Sequence, residues 1–135
     1  MRAVLDPNVV ISGLLSAKGA PAQVLSSWHA GRFEMIVSPL VLDELQRALA
    51  YPKLRRHISA QDGEAAVRWF RAGASLVDDP TGDPPVRSSD PGDDYLIALA
   101  AEQHAALVSG DRHLLGLEDR IPVYSPRAFL ELLER

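Results

Sequence analysis

Acidic side chains recur where short apolar runs of this chain end. Asp6 closes the run at residues 2–5 and is followed by Pro7 and Asn8. Glu44 lies about one and a half turns into an apolar-periodic segment that opens at Ser38-Pro39. Asp90, Asp93 and Asp94 crowd the Pro91-Gly92 turn ahead of YLIALAA, and Asp111 follows Ser109-Gly110 just after residues 106–108. If those runs share one sheet edge, the acids share one cleft. Two carboxylates 4 Å apart repel by about 4 kcal/mol at an effective dielectric of 20, so such a group needs a counter-charge. Only Arg112 stands beside these positions, which leaves a divalent cation as the natural partner. An oxygen-only donor set selects Mg²⁺ or Mn²⁺ over zinc or copper. The chemistry that suits this pocket is phosphodiester hydrolysis.

Each acid also has an ordinary reading. Asp6 could serve a helix N-terminus, Glu44 beside Asp43 could be a solvated helix acid, and Asp93 or Asp94 could open a helix. Asp111 could cap the segment that follows it, and Asn8 and Ser109 could be turn residues. Their order along the chain, rather than any one of them, favours a site.

The elements that must position these residues alternate. Strands are expected at 2–5, 35–37, 74–77, 106–108 and 121–124. Helices are expected from Pro7, over 21–30, from Ser38-Pro39 to about Ala50, from Ser59 to about Gly73, from Asp93 to Gln103, and from Ser125-Pro126 to the end. Pro52 reads as a stop, and 78–92, with four prolines and two glycines, reads as a loop. The strands are apolar throughout rather than alternating, as in a parallel sheet covered on both faces. That makes an α/β fold, a three-layer α/β/α sandwich with a short parallel sheet, whose ligands bind beyond the carboxyl ends of the strands. The 135 residues suggest one domain, 1–135.

Composition excludes several classes. There is no cysteine, so disulfides, iron–sulfur clusters and thiolate zinc sites are ruled out, and a reducing, cytoplasmic setting fits. The four histidines lack metal-ligand spacing, no apolar run is long enough for a membrane span, and an Asp at position 6 argues against a signal peptide. A phosphoryl-accepting receiver would want a lysine near the last strand, but the only lysines are Lys18 and Lys53.

The segments VLDPNVVISGLL, SPLVLDEL and SSDPGDDYLIALAAEQHAALVSGDRHLL resemble the PIN-domain ribonucleases, in particular the VapC-like toxins of bacterial toxin–antitoxin pairs. The resemblance spans nearly the whole chain. It implies a sheet order of 3-2-1-4-5, a homodimer, a cognate antitoxin, and Mg²⁺- or Mn²⁺-dependent cleavage of RNA by a metal-activated water. It puts the family's acids on Asp6, Glu44, Asp93 and Asp111, with Asp90 and Asp94 near enough to compete for the third place. It gives Glu44 the role of binding the ion or orienting a water bound to it. Asn8 and Ser109 match polar positions that support the acids. Pro7 departs from a common Thr and removes a hydroxyl and an N–H. Two other readings remain: an RNA-processing nuclease that is not a toxin, and a catalytically silent PIN-like scaffold.

The net charge of −4 first argues against RNA, but it equals the four proposed site acids and leaves 14 acids against 14 Lys+Arg. Between Glu44 and Arg71 six basic residues face three acids. Arg47, Lys53, Arg55 and Arg56 in that stretch are candidates for phosphate-backbone contact. Tyr51 and Tyr95 could stack on bases or be buried, and Trp28, Phe33, Trp69 and Phe70 are assigned to core or interface.

Overall fold

A computed structural model describes all residues, Met1–Arg135. Five short strands form one sheet: β1 (Arg2–Leu5), β2 (Glu34–Val37), β3 (Ser75–Leu76), β4 (Ala106–Val108) and β5 (Val123–Tyr124). Every pairing is parallel and the order is β3-β2-β1-β4-β5. β1 is central, with Val4 opposite Ile36 on one side and Leu107 on the other. Its inner residues Ala3, Val4 and Leu5 are buried, which explains why the strand is apolar at successive positions.

Seven α-helices connect the strands and an eighth follows β5: α1 (Pro7–Leu15), α2 (Ala20–His29), α3 (Pro39–Leu49), α4 (Pro52–Arg55), α5 (Ala60–Gly73), α6 (Asp94–Glu102), α7 (Arg112–Leu115) and α8 (Pro126–Leu133). The chain steps from β1 to β2 to β3 in one direction, then crosses back to β4 and β5. Right-handed crossovers in opposite directions put their helices on opposite faces, giving three layers. α1, α2 and α8 pack together, α3 lies between α1 and α5, and α6 lies against β1 and β4.

The helix starts follow local chemistry. Asp6, Ser38, Ser59, Asp111 and Ser125 each cap a first turn with a side-chain oxygen, and a proline fills the first helical position of α1, α3 and α8. Pro52 ends α3 as expected, yet it also opens α4, because a ring that cannot continue one helix fits the first turn of the next. A 3-10 turn over Pro91–Asp93 precedes α6, so the helix proper starts one residue after Asp93. β3 and β5 are shorter than their apolar runs, with Ile121 and Pro122 leading into β5 rather than belonging to it.

One apolar cluster of 31 buried residues fills the space between the layers. Phe33 meets Phe129 edge-on at 5.0 Å, and Trp28 stacks on Phe70 at 5.5 Å. Trp69 lies on the same aromatic group at 4.8 Å from Trp28 but stays partly exposed. No single helix is long and apolar enough to cross a membrane.

Candidate active site

β1 and β4 are the neighbours at which the strand order reverses, so a crevice opens beyond their carboxyl ends. Asp6 leaves the end of β1, and Ser109 and Asp111 leave the end of β4. Asp6 is buried and both its oxygens are engaged: Oδ1 accepts the Asn8 backbone N–H at 3.0 Å, and Oδ2 accepts the Ser109 hydroxyl at 2.8 Å. Ser109 is wholly buried and its oxygen also accepts the Asp111 N–H at 3.0 Å. One hydroxyl therefore fixes two acids from two strands. Asn8 supports Asp6 through its backbone, while its side chain is exposed. Pro7 costs α1 no helical hydrogen bond, because an N–H in the first turn has no helical partner.

Asp93 reaches the same place from the far side of the chain. Burial first, then the negative charge of Asp6 and the neighbouring Asp111 carboxyl, push its carboxyl up to about 7. Burial also raises Asp6, against the lowering effect of its Asn8 and Ser109 hydrogen bonds, and the charges of Glu44 and Asp111 add to the rise. The four acids thus act on one another electrostatically, although they are far apart in sequence. Glu44, half-buried on α3, accepts a hydrogen bond from the Tyr95 hydroxyl of α6.

The other two acids near the third position have different work. Asp94 is buried, accepts the Ser88 N–H at 2.8 Å and pairs with Arg87 at 3.4 Å, so it holds the preceding loop. Asp90 is exposed and caps the 3-10 turn through the Gly92 N–H at 3.0 Å. It contributes repulsion to Asp93 without joining the hydrogen bonds around Asp6 and Asp111.

The donor set fits a hard divalent cation. None of the four ion pairs in the molecule includes Asp6, Glu44, Asp93 or Asp111. Asp93 Oδ2 is buried with no hydrogen-bond partner, a costly arrangement for a carboxylate unless something positive sits against it. No three His, Asp or Glu side chains are gathered closely enough to grip one ion together. A Mg²⁺ site does not need three, since that ion takes one or two carboxylates and keeps several waters. A cavity of about 360 Å³ opens beside Asp6 and Asp111, walled by Asn8, Ser12 and Gly110, which leaves room for water and a phosphate group.

The basic candidates sit apart from the acids. Lys53, Arg55 and Arg56 are exposed on and just after α4, anchored from below by buried Ile58 and packed Leu54, and none of them has an acidic partner. Arg47 is paired with Asp43 one turn earlier on α3. Tyr51 is exposed beside this group, whereas Tyr95 is in the acidic cleft. Sequence reasoning offered Tyr95 for base stacking or burial and missed its bond to Glu44, because that partner lies 51 positions away and no local pattern connects them.

Known proteins agree with this architecture. Among solved structures, a chain of VapBC2 from Rickettsia felis, crystallised bound to a DNA fragment from its promoter, superposes with a TM-score of 0.59 at 17% identity, covering 93% of this chain and 98% of that one. The PilT N-terminus domain protein SSO1118 from Sulfolobus solfataricus P2 gives 0.56 at 16% identity, covering 98% and 93%. At those identities the likeness concerns the fold. Over its whole length the chain is 26% identical to the uncharacterized protein MJ1680 of Methanocaldococcus jannaschii, covering 93% of that protein. The PIN domain profile matches residues 2–113, a span that contains all four acids and both edges of the crevice, and the chain belongs to the PIN-domain family, whose members are generally metal-dependent nucleases.

Proposed function

We propose that this protein is a Mg²⁺- or Mn²⁺-dependent endoribonuclease and the toxin of a toxin–antitoxin pair. The observation that carries the nuclease reading is the convergence of Asp6, Asp93 and Asp111 at the sheet's reversal point with no cationic side chain among them. Asp93 and Asp111 would hold the cation, with Asp6 and Glu44 reaching it through water. The bound ion would supply Lewis acidity to activate water and to screen the charge of the scissile phosphate. Ser109 and the Asn8 N–H keep Asp6 oriented and ionisable. The exposed Lys53, Arg55 and Arg56 would draw the RNA backbone toward the cleft.

Asp6→Asn tests the assignment. Asn caps a helix as well as Asp does, so α1 survives while the charge is lost. Metal-dependent RNA cleavage should fall at least about a hundredfold, a size typical for loss of one strongly stabilising group. Retention of full activity in a folded variant would remove Asp6 from the mechanism.

The toxin role, and with it an antitoxin partner, draws support from the VapBC2 likeness. Expression alone should arrest growth, and co-expression of a small neighbouring protein should relieve the arrest. Growth without arrest, combined with cleavage in vitro, would favour an RNA-processing nuclease. The open spacing of the acids gives a silent scaffold some support. Saturable binding of Mn²⁺ by the purified chain excludes that reading.

A further inference from the structure

Glu44 differs from its neighbours in how it is held. The adjacent Asp43 pairs with Arg47, and Asp94 pairs with Arg87, so each of those acids has its charge compensated by a guanidinium. Glu44 instead receives a hydrogen bond from a neutral phenol, through Oε2, from an element on the opposite face of the sheet. A phenol fixes a carboxylate without cancelling its charge. The tyrosine ring, on the first turn of α6, is half-buried and packed against the core, which makes it a rigid post, and its hydroxyl also feels the charges of Asp6 and Asp93. The other Glu44 oxygen has no partner within the chain.

We propose that Tyr95 is a positioning residue for Glu44, its hydroxyl pinning Oε2 so that Oε1 is left free to face the water shell of the cation. This rests on the metal-dependent reading above. The same bond ties α3, which leads into the basic α4, to α6, which begins right after Asp93. Cation affinity and the placement of α3 are therefore linked through one hydroxyl. Removing an outer partner of a metal ligand commonly weakens metal binding ten- to a hundredfold.

The test is Mn²⁺ titration of the purified full chain by electron paramagnetic resonance, with RNA absent. Tyr95→Phe keeps the ring and loses only the hydroxyl, and it should weaken Mn²⁺ binding about tenfold. Glu44→Gln should weaken it as well, and the double variant should bind no more weakly than Glu44→Gln alone, because the two residues act as one unit. Equal binding by wild type and Tyr95→Phe, or additive losses in the double variant, would overturn the proposal. Wild-type protein that binds no Mn²⁺ would overturn the metal-dependent reading itself and with it this one. If Tyr95→Phe does not fold, ¹³C-tyrosine resonances of the wild-type chain decide instead. Mg²⁺ should shift one of the three tyrosine signals, and Glu44→Gln should abolish that shift. A shift that persists in Glu44→Gln counts against the link.

Discussion

At the residue scale, the site depends on a few hydrogen bonds that set charge. Ser109 is the most exposed to mutation in its consequences, because it donates to Asp6 and accepts from Asp111 while fully buried. Ser109→Ala should leave a buried carboxylate oxygen and a backbone N–H unpaired. We expect a loss of about 1–3 kcal/mol in urea unfolding, together with weaker divalent-cation binding. The raised carboxyls of Asp93 and Asp6 also make a pH prediction. The folded chain holds these protons more tightly than the unfolded chain does. The stability so gained is complete below the ordinary carboxylate range and is lost as pH rises through about 7. In chelator, the Tm should therefore fall as pH is raised from about 5 to about 8, and Asp93→Asn should flatten that fall. Cations compete with those protons, so Mn²⁺ should raise the Tm more at the higher pH. A Tm independent of pH in chelator would contradict the mutual repulsion of these buried acids.

At the element scale, the loop between β3 and α6 is the part most in need of fixing, and the chain fixes it at several points. Asp79 accepts the Leu40 N–H at the start of α3 at 2.9 Å, and Glu102 accepts the Thr81 and Gly82 N–H groups at 3.2 and 3.1 Å. Asp94 holds Ser88, and the Ser89 hydroxyl meets His113 Nδ1 at 2.5 Å. This last bond joins the approach to Asp93 directly to α7, which follows Asp111. Ser89→Ala should speed amide exchange over residues 83–93 and leave the central strands protected. The corner between α1 and α2, which meet at 98°, is a second tight element. A Cβ on Gly13 would stand 2.7 Å from Leu25 Cδ1 and 3.0 Å from the Pro21 carbonyl oxygen, and the latter is backbone that cannot turn aside. Gly13→Ala should destabilise by about 1–3 kcal/mol in urea unfolding, although alanine is the better helix former.

At the scale of the whole molecule, charge is divided between a cleft and an arm. The acids sit at the end of the sheet, and the unpaired Lys53, Arg55 and Arg56 sit at and just beyond α4, where α3 gives way to α5. A net charge of −4 is compatible with RNA if the cleft is neutralised by cation first. Replacing Lys53, Arg55 and Arg56 together by Gln should weaken RNA binding in the presence of Mg²⁺. It should also reduce the slope of log affinity against log salt by about 2, given roughly 0.7 for each phosphate of a single strand that the protein no longer neutralises. An unchanged slope would mean that the RNA takes another path.

Much of this was legible along the chain because it is local. An Asp or Ser followed by Pro announces a helix start through its own side chain, and unbroken apolar runs announce strands covered on both faces. The alternation of such elements determined a parallel α/β sheet, and the acids at strand ends pointed to one crevice. What the sequence left open concerned groups meeting across long separations. Asp90, Asp93 and Asp94 are equivalent in composition and nearly so in position. Only the turn of backbone at Pro91–Asp93 directs Asp93 toward Asp6 and Asp111 while Asp94 turns back to Ser88 and Arg87. The bond from Tyr95 to Glu44 is of the same kind, since it joins helices from opposite layers of the sandwich. Local chemistry is written into neighbouring residues and can be read in order. Which buried carboxylate keeps an unpaired oxygen depends on desolvation and on partners from distant elements, and those exist only once the layers have packed.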